Sequence, residues 1–250
     1  MTVISLGAGV QSTTLLLLSA EGDRVPKADV AIFADTGWEP SSVYAHLGRL
    51  EQASSIPIVR VSAGNLRHDA LNGKGRFASM PLFTRDEGGK VSMLRRQCTR
   101  EYKVAPINRE IRKRRNGEVV TMYIGISLDE AHRMKPSRVS YVHHEWPLVD
   151  LGWTRAKCRE YLSDRGWTDV PKSSCIGCPF HDDHYWERMK YEHPDEFSDA
   201  VEFDERIRLM PRLRDKTYIH RSATPLKAAV FDLSEQPDLF GNECEGMCGV

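Results

Sequence analysis

The chain has 250 residues, with 35 Lys+Arg against 35 Asp+Glu, 40% hydrophobic and 28% charged residues. That length is enough for one large α/β core or a core with a small appendage, and the composition excludes a wholly disordered chain. A formal net charge of zero argues against a protein that coats polyanions over its whole surface, but it leaves room for local patches. Six cysteines are too few for a small disulfide-stapled fold. The N-terminal stretch has no basic segment before its apolar residues, and the run Leu15-Leu16-Leu17-Leu18 is far shorter than a membrane span. The expectation is a cytoplasmic protein with no membrane partner, in which clustered cysteines serve metal or redox chemistry.

In chain order, Val3-Ile4-Ser5-Leu6 reads as a buried strand, followed by a Gly-containing turn and a helix from about Ser12 to Ala20. Val30 to Ala34 is a second apolar run that ends in Asp35-Thr36-Gly37. Ser41 to Ala53 has helical spacing, Pro57 to Val61 is a third strand, and Val119 to Ile126 is a fourth. Residues 66–94, Gly-rich and polar, read as a long loop or lid. Continuous apolar strands alternating with helices predict an α/β fold, a Rossmann-like parallel sheet with helices on both faces. The character changes near Pro147. The expected division is an adenine-nucleotide-binding α/β domain over 1–146 and a helical, Cys-bearing extension over 147–250.

The turn Ser5-Leu6-Gly7-Ala8-Gly9-Val10-Gln11-Ser12-Thr13 joins the first strand to the first helix. Small residues allow a tight turn, and free amides at the helix start suit a phosphate or pyrophosphate. A strand-to-helix turn that binds nothing has the same composition. The loop resembles the pyrophosphate loop, Ser-Gly-Gly-x-Asp-Ser-Thr, of the adenine-nucleotide α-hydrolase superfamily, with departures at Gly7, Ala8 and Gln11. Asp35-Thr36-Gly37-Trp38-Glu39-Pro40, Gln97-Cys98-Thr99-Arg100 with Lys103 and Pro106, and Gly125-Ile126-Ser127-Leu128-Asp129-Glu130 with Arg133 follow in order. So do Trp146-Pro147-Leu148 and Cys175-Ile176-Gly177-Cys178-Pro179. Together they resemble the phosphoadenosine phosphosulfate (PAPS) reductase-like branch over residues 3–180.

That resemblance implies an ATP-pyrophosphatase-type enzyme that adenylates a nucleic acid or nucleotide for sulfur transfer from a sulfur donor. Ser5, Gly7, Ala8, Gly9, Gln11, Ser12, Thr13 and Gly125 would cradle ATP or another adenine nucleotide, with Mg²⁺ as a companion ion. Asp35, Thr36 and Gly37 would meet the nucleoside. Arg133 would clamp phosphate, with Glu130 beside it. On the residues alone, Asp35 equally caps the next turn, and Glu130 with Arg133 at i,i+3 equally forms a surface ion pair.

Cys175-x-x-Cys178 has a spacing suited to zinc or an iron–sulfur cluster. With Cys98 and a tail thiol, Cys244 or Cys248, it would supply four ligands to a [4Fe-4S] cluster. Zinc held by Cys175, Cys178, His181 and His184 is the rival. Cys158 falls in the helical pattern Arg155 to Ser163 and reads as core packing. Glu243-Cys244 also resembles the tail of sulfonucleotide reductases, which makes Cys244 or Cys248 a candidate nucleophile for an alternative reaction, reduction of a sulfonucleotide. A zinc-containing nucleotide-binding module is the non-enzymatic alternative.

The neutral total conceals an uneven distribution. Residues 85–115 hold 11 Lys/Arg and 4 Asp/Glu, whereas 195–205 and 232–250 hold six and five acids and no Lys or Arg. The basic 95–115 segment is a candidate contact for a nucleotide or nucleic acid, and a solvated helix face is the alternative. Oligomeric state is not legible.

Overall fold

A computed structural model describes residues 1–72, 80–208 and 215–234. Five strands form the central sheet: β1 (Thr2–Leu6), β2 (Val30–Asp35), β3 (Ile58–Ser62), β6 (Val120–Ile124) and β7 (Val142–Glu145). Their order is β3-β2-β1-β6-β7, and every pairing is parallel. The direction of winding therefore reverses between β1 and β6, where open α/β sheets leave a crevice at the carboxyl ends of their strands.

Burial on both faces follows from the period-2 alternation of apolar side chains. Ile4, Leu6, Ala31 and Phe33 face one layer, with Leu15, Leu16 and Leu18 of α1 (Val10–Glu21) and Val43, Leu47 and Leu50 of α2 (Ser41–Ala53). Val3, Val30, Ile32 and Met122 face the other, with Ile107 and Ile111 of α4 (Ala105–Arg114). The Leu15–Leu18 run is a buried helix with core on nearly every side. Cys158, on α6 (Arg155–Ser163), is fully buried in the first of these layers, as its helical position predicts.

Residues 66–94 depart from the loop expected of them. They contain α3 (Leu66–Asn72) and the antiparallel pair β4 (Phe83–Arg85) and β5 (Val91–Met93), joined through Asp86, whose carboxylate accepts from Lys90 N at 2.9 Å. Glycine and polar composition concealed a hairpin whose alternation is only three residues long. β7 also went unread, because Val142-His143-His144-Glu145 carries a single buried side chain.

After β7 the chain continues as α5 (Pro147–Asp150), α6, α7 (Asp183–Glu192) and α8 (Pro194–Arg208). One strand, β8 (Lys216–Tyr218), then pairs with β4 in a three-stranded sheet of order β5-β4-β8. A third apolar cluster built on Trp38, Trp186, Phe203, Ile207, Ile219 and Leu226 joins this layer to the loop after β2.

Candidate active site

β1 ends with Ser5 and Leu6 buried, and Gly7, Ala8 and Gly9 make the turn into α1. Ala8 has φ +59°, a left-handed conformation that costs a non-glycine residue about 1–2 kcal/mol. Ser12 organises this loop: its Oγ accepts from the amides of Gly7 and Gly9, each at 3.2 Å. The two amides expected to face a phosphate are thus directed at a serine hydroxyl, and a ligand entering here would take over bonds that Ser12 now holds. Ser173 closes the loop from behind by donating its hydroxyl to Gly7 O. Thr13 Oγ1 lies 2.8 Å from His46 Nε2 on α2. Burial, with the Arg49 charge adding to it, pushes His46 down to about 4.

Gly125, the residue after β6, is where the loops beyond β1 and β6 touch. A Cβ there would stand 2.8 Å from Ser12 N and 3.0 Å from Ser12 Cα, so only glycine lets the backbones meet. Above this contact lies a buried polar lattice. Gln11 donates Nε2 to Glu130 at 2.7 Å and to Ser127 Oγ at 3.4 Å, while its Oε1 accepts from Arg155 at 2.9 Å. Glu130 also accepts from Arg133 at 2.7 Å, and Asp129 accepts from Arg155 N at 3.1 Å. Gln11 and Glu130 are no more than 1% exposed, so the amide joins a carboxylate to a guanidinium at the switch point. Charged partners make such bonds strong in a dry setting.

The loop after β2 forms the second half of the edge. Asp35 Oδ1 accepts from Gly37 N at 2.7 Å and from Tyr44 OH at 2.8 Å, which is the turn-capping role. Asn65 Nδ2 donates to Gly37 O at 2.7 Å. Thr36 donates to Glu39 Oε1 at 3.0 Å and lies 3.3 Å from Cys175 Sγ. Cys175 Sγ is 3.8 Å from the same Glu39 oxygen, and Lys103 Nζ is 3.4 Å from it, with both ion-pair partners buried. Glu39 Oε2 is buried and has no hydrogen-bond partner among the described residues. Cys98 sits at the start of the π-helical turn Thr99–Val104 that carries Lys103, and it packs in the same cluster as Cys175.

Cys178 N donates to Cys175 O at 3.1 Å, so the CxxC pair is a tight turn. His181 is not its zinc ligand through Nε2, which is spent on the carbonyls of Cys175 and Ile176 at 2.9 and 3.1 Å. Burial holds His181 well below the usual histidine range and therefore neutral. Among the described residues no three His, Cys, Asp or Glu side chains converge as a metal site. Cys244 and Cys248 lie outside the described residues.

The predicted residues therefore fall into two groups on one edge. Gly7 to Thr13, Gly125, Glu130 and Arg133 come together across β1 and β6. Thr36, Cys98 and Cys175 come together across β2, while Asp35 and Gly37 bond to each other and to Tyr44 and Asn65. Sequence reasoning missed Arg155, Glu39, Ser173 and His46. Arg155 is 144 positions from Gln11, and no local spacing signals that contact. Glu39 stood within a quoted motif, and its position three residues after Thr36 was the available hint.

No protein-family model matches the chain, and no curated protein matches it. Among solved structures it is similar to the phosphoadenylyl-sulfate (PAPS) reductase from Candida auris, determined as a phosphate complex. The identity is 15%, the match covers 68% of this chain and 73% of that one, and the TM-score is 0.46. The fold assignment rests on the strand order itself, and the residue roles rest on the contacts above.

Proposed function

We propose that the chain is a nucleotide-dependent enzyme of the sulfonucleotide-reductase kind, binding an adenine nucleotide in the crevice over β1 and β6. The observation that carries this reading is the Gln11 lattice. Arg133 and Arg155 bring two guanidinium groups to the mouth of a loop that begins a twelve-residue helix, a setting suited to phosphate or sulfate. Gln11 stands where the resemblance expects an acid. A neutral amide bonded at both ends is a poor Mg²⁺ ligand, and Glu130 and Asp129 are engaged with Arg133 and Arg155. The residue set therefore suits a substrate that arrives already activated, such as adenylyl sulfate or phosphoadenylyl sulfate, better than ATP that must be cleaved with Mg²⁺.

In the reaction, a thiolate of this chain attacks the substrate sulfur. A Cys–S–SO₃⁻ bond forms, the sulfur–oxygen bond to phosphate breaks, and the nucleoside phosphate leaves with that electron pair. A dithiol reductant then displaces sulfite and is itself oxidised to the disulfide. Cys244 and Cys248 are the proposed nucleophiles, since Cys175 is enclosed by Thr36 and Glu39. An iron–sulfur or zinc centre on Cys98, Cys175 and Cys178 would need a tail thiol as its fourth ligand. The described donors do not complete one, and no step runs through it.

Incubation with adenylyl sulfate or phosphoadenylyl sulfate and a dithiol should release sulfite, and Cys244→Ser with Cys248→Ser should abolish it. Pyrophosphate release from ATP without sulfite formation would replace this reading with the adenylating one. Iron, acid-labile sulfide and zinc measured on an anaerobic preparation decide the metal separately.

A further inference from the structure

We propose that the outer face of α4, together with the segment leading into β7, is a track for single-stranded nucleic acid running out of the nucleotide crevice. The proposal rests on the nucleotide reading above only for where the track begins; the surface itself is argued from the residues of α4 and of the segment before β7.

The structure divides the basic run on α4 into two kinds of cation. Lys113 and Arg114 share the single carboxylate of Glu110, at 3.6 and 2.6 Å, which offsets one of their two charges. Arg109, Arg112 and Arg115 are spaced i, i+3, i+6, so each neighbours the next along the helix. Arg109 has no ion pair among the described residues. Arg112 Nε lies 3.4 Å from Tyr141 OH, and the Arg115 guanidinium stands 3.9 Å over the Tyr141 ring while its Nη1 donates to the Gly117 and Glu118 carbonyls at 3.2 and 3.1 Å. Of the two acids close by in sequence, Glu110 is engaged with Lys113 and Arg114, and Glu118 points at the N-terminal amine at 3.8 Å.

Tyr141 links this face to a second basic stretch. Residues 131–144 contain Arg133, Lys135 and Arg138 with three histidines and no Asp or Glu. Arg138 and His143 are exposed, and β7 is the edge strand of the sheet. Two segments that lie apart in sequence thus merge into one cationic surface with an aromatic ring at its centre.

Its position favours a polymer over an isolated anion. α4 continues directly from the turn that carries Lys103, which pairs with the buried Glu39 in the β2 half of the site edge. A helical rise of 1.5 Å per residue places Arg109 roughly 9 Å along the axis from Lys103, and Arg115 roughly 9 Å further. The charge accordingly runs away from the site down the flank of the molecule. Guanidinium forks match phosphate oxygens, and a ring held by arginine is a stacking platform for a base, which together favour nucleic acid over an acidic polypeptide.

The test is fluorescence anisotropy of the full chain with a labelled single-stranded oligonucleotide across a series of salt concentrations. Three phosphate contacts predict a slope of log K against log salt of about −2. Arg109→Gln/Arg112→Gln/Arg115→Gln should weaken binding at least tenfold and flatten that slope, whereas Lys113→Gln/Arg114→Gln should change affinity less than threefold. Glutamine keeps helix propensity, so the fold is expected to survive, and an unchanged melting curve confirms it. The idea is overturned if the wild-type chain does not bind the strand, if the triple variant binds as wild type, or if polyglutamate competes equally well. Adenosine phosphate binding, measured alongside, separates the two failures. Its loss with the strand still held on the arginines sinks the crevice reading and leaves the track, and the reverse result does the opposite.

Discussion

Two glycines hold the two halves of the site edge together, and what each one touches differs. Gly125 lies against the backbone of Ser12, so the β1 and β6 loops meet main chain to main chain. Gly177, in the CxxC turn, lies against the indole of Trp38, where a Cβ would come 2.1 Å from the ring. Backbone cannot move aside, whereas a side chain can shift if its neighbours let it. The β1/β6 half is also closed by an amide lattice with charged ends, and the β2 half by a thiol and an ion pair around a single carboxylate, Glu39. The first half is built to keep its shape, while the second depends on one residue.

That dependence gives the largest expected effect. Glu39→Ala removes the carboxylate that faces the buried Lys103 ammonium and the acceptor of Thr36, at a cost of about 3–5 kcal/mol. A fall in the urea midpoint with an unchanged m-value would show it. A variant as stable as wild type would mean that Lys103 finds another partner and that the β2 half does not hinge on Glu39.

The glycines sharpen the same contrast. Gly125→Ala forces main chain apart and should cost about 3 kcal/mol, with nucleotide affinity falling at least tenfold. Gly177→Ala should cost less, about 1–2 kcal/mol, because Trp38 can tilt. It is not free to swing away, since Nε1 donates to Asp199 at 2.6 Å and its ring packs 4.6 Å from that of Phe203. Its expected signature is a shifted tryptophan emission spectrum with nucleotide binding retained. Equal effects of the two variants on binding would erase the distinction.

Each half also holds a buried histidine, His46 behind Thr13 and His181 under the CxxC turn. Both are depressed by burial, His46 to about 4 from an ordinary value near 6.5. Below that ordinary value the unfolded chain takes up a proton that the folded chain refuses. Stability is therefore complete above about pH 6.5 and falls as the pH drops toward 4, by up to about 1.4 kcal/mol per pH unit for each histidine. Denaturation midpoints at pH 7.5 and 5 should part for wild type and draw closer in His46→Gln. An undiminished gap in that variant would place the acid sensitivity in the other histidines that burial depresses, His181 and His220 among them.

How much of this was legible follows from where the signal lies. The strands β1, β2, β3 and β6 showed as apolar runs because a sheet buried on both faces needs continuous hydrophobicity. β7 and the β4–β5 hairpin did not, because short or half-exposed strands leave no period to count. At the site, the loop residues Gly7 to Thr13 were readable as neighbours in sequence. The bonds that define the lattice, Gln11 to Arg155 and to Glu130, span more than a hundred residues and belong to packing. Asp35 was open between nucleoside contact and turn cap; its Oδ1 makes the bonds of a cap, from Gly37 and Tyr44, and these do not bear on a nucleoside contact. The expectation of outward amides missed Ser12, whose own hydroxyl folds back onto the loop.

The smallest expected effect tests whether the β1 loop is under strain or merely tight. Ala8 sits at φ +59° with its side chain fully buried, in a conformation glycine adopts without penalty. Ala8→Gly relieves about 1–2 kcal/mol of left-handed strain in the folded state. It also frees the unfolded chain, which opposes the gain by about 0.4–1 kcal/mol. The net should be a stabilisation of no more than about 1.6 kcal/mol, visible as a small rise in the urea midpoint. A clear loss of stability instead would mean that the Ala8 methyl contributes packing worth more than the strain, and the loop would then be as dependent on one side chain as the half built on Glu39.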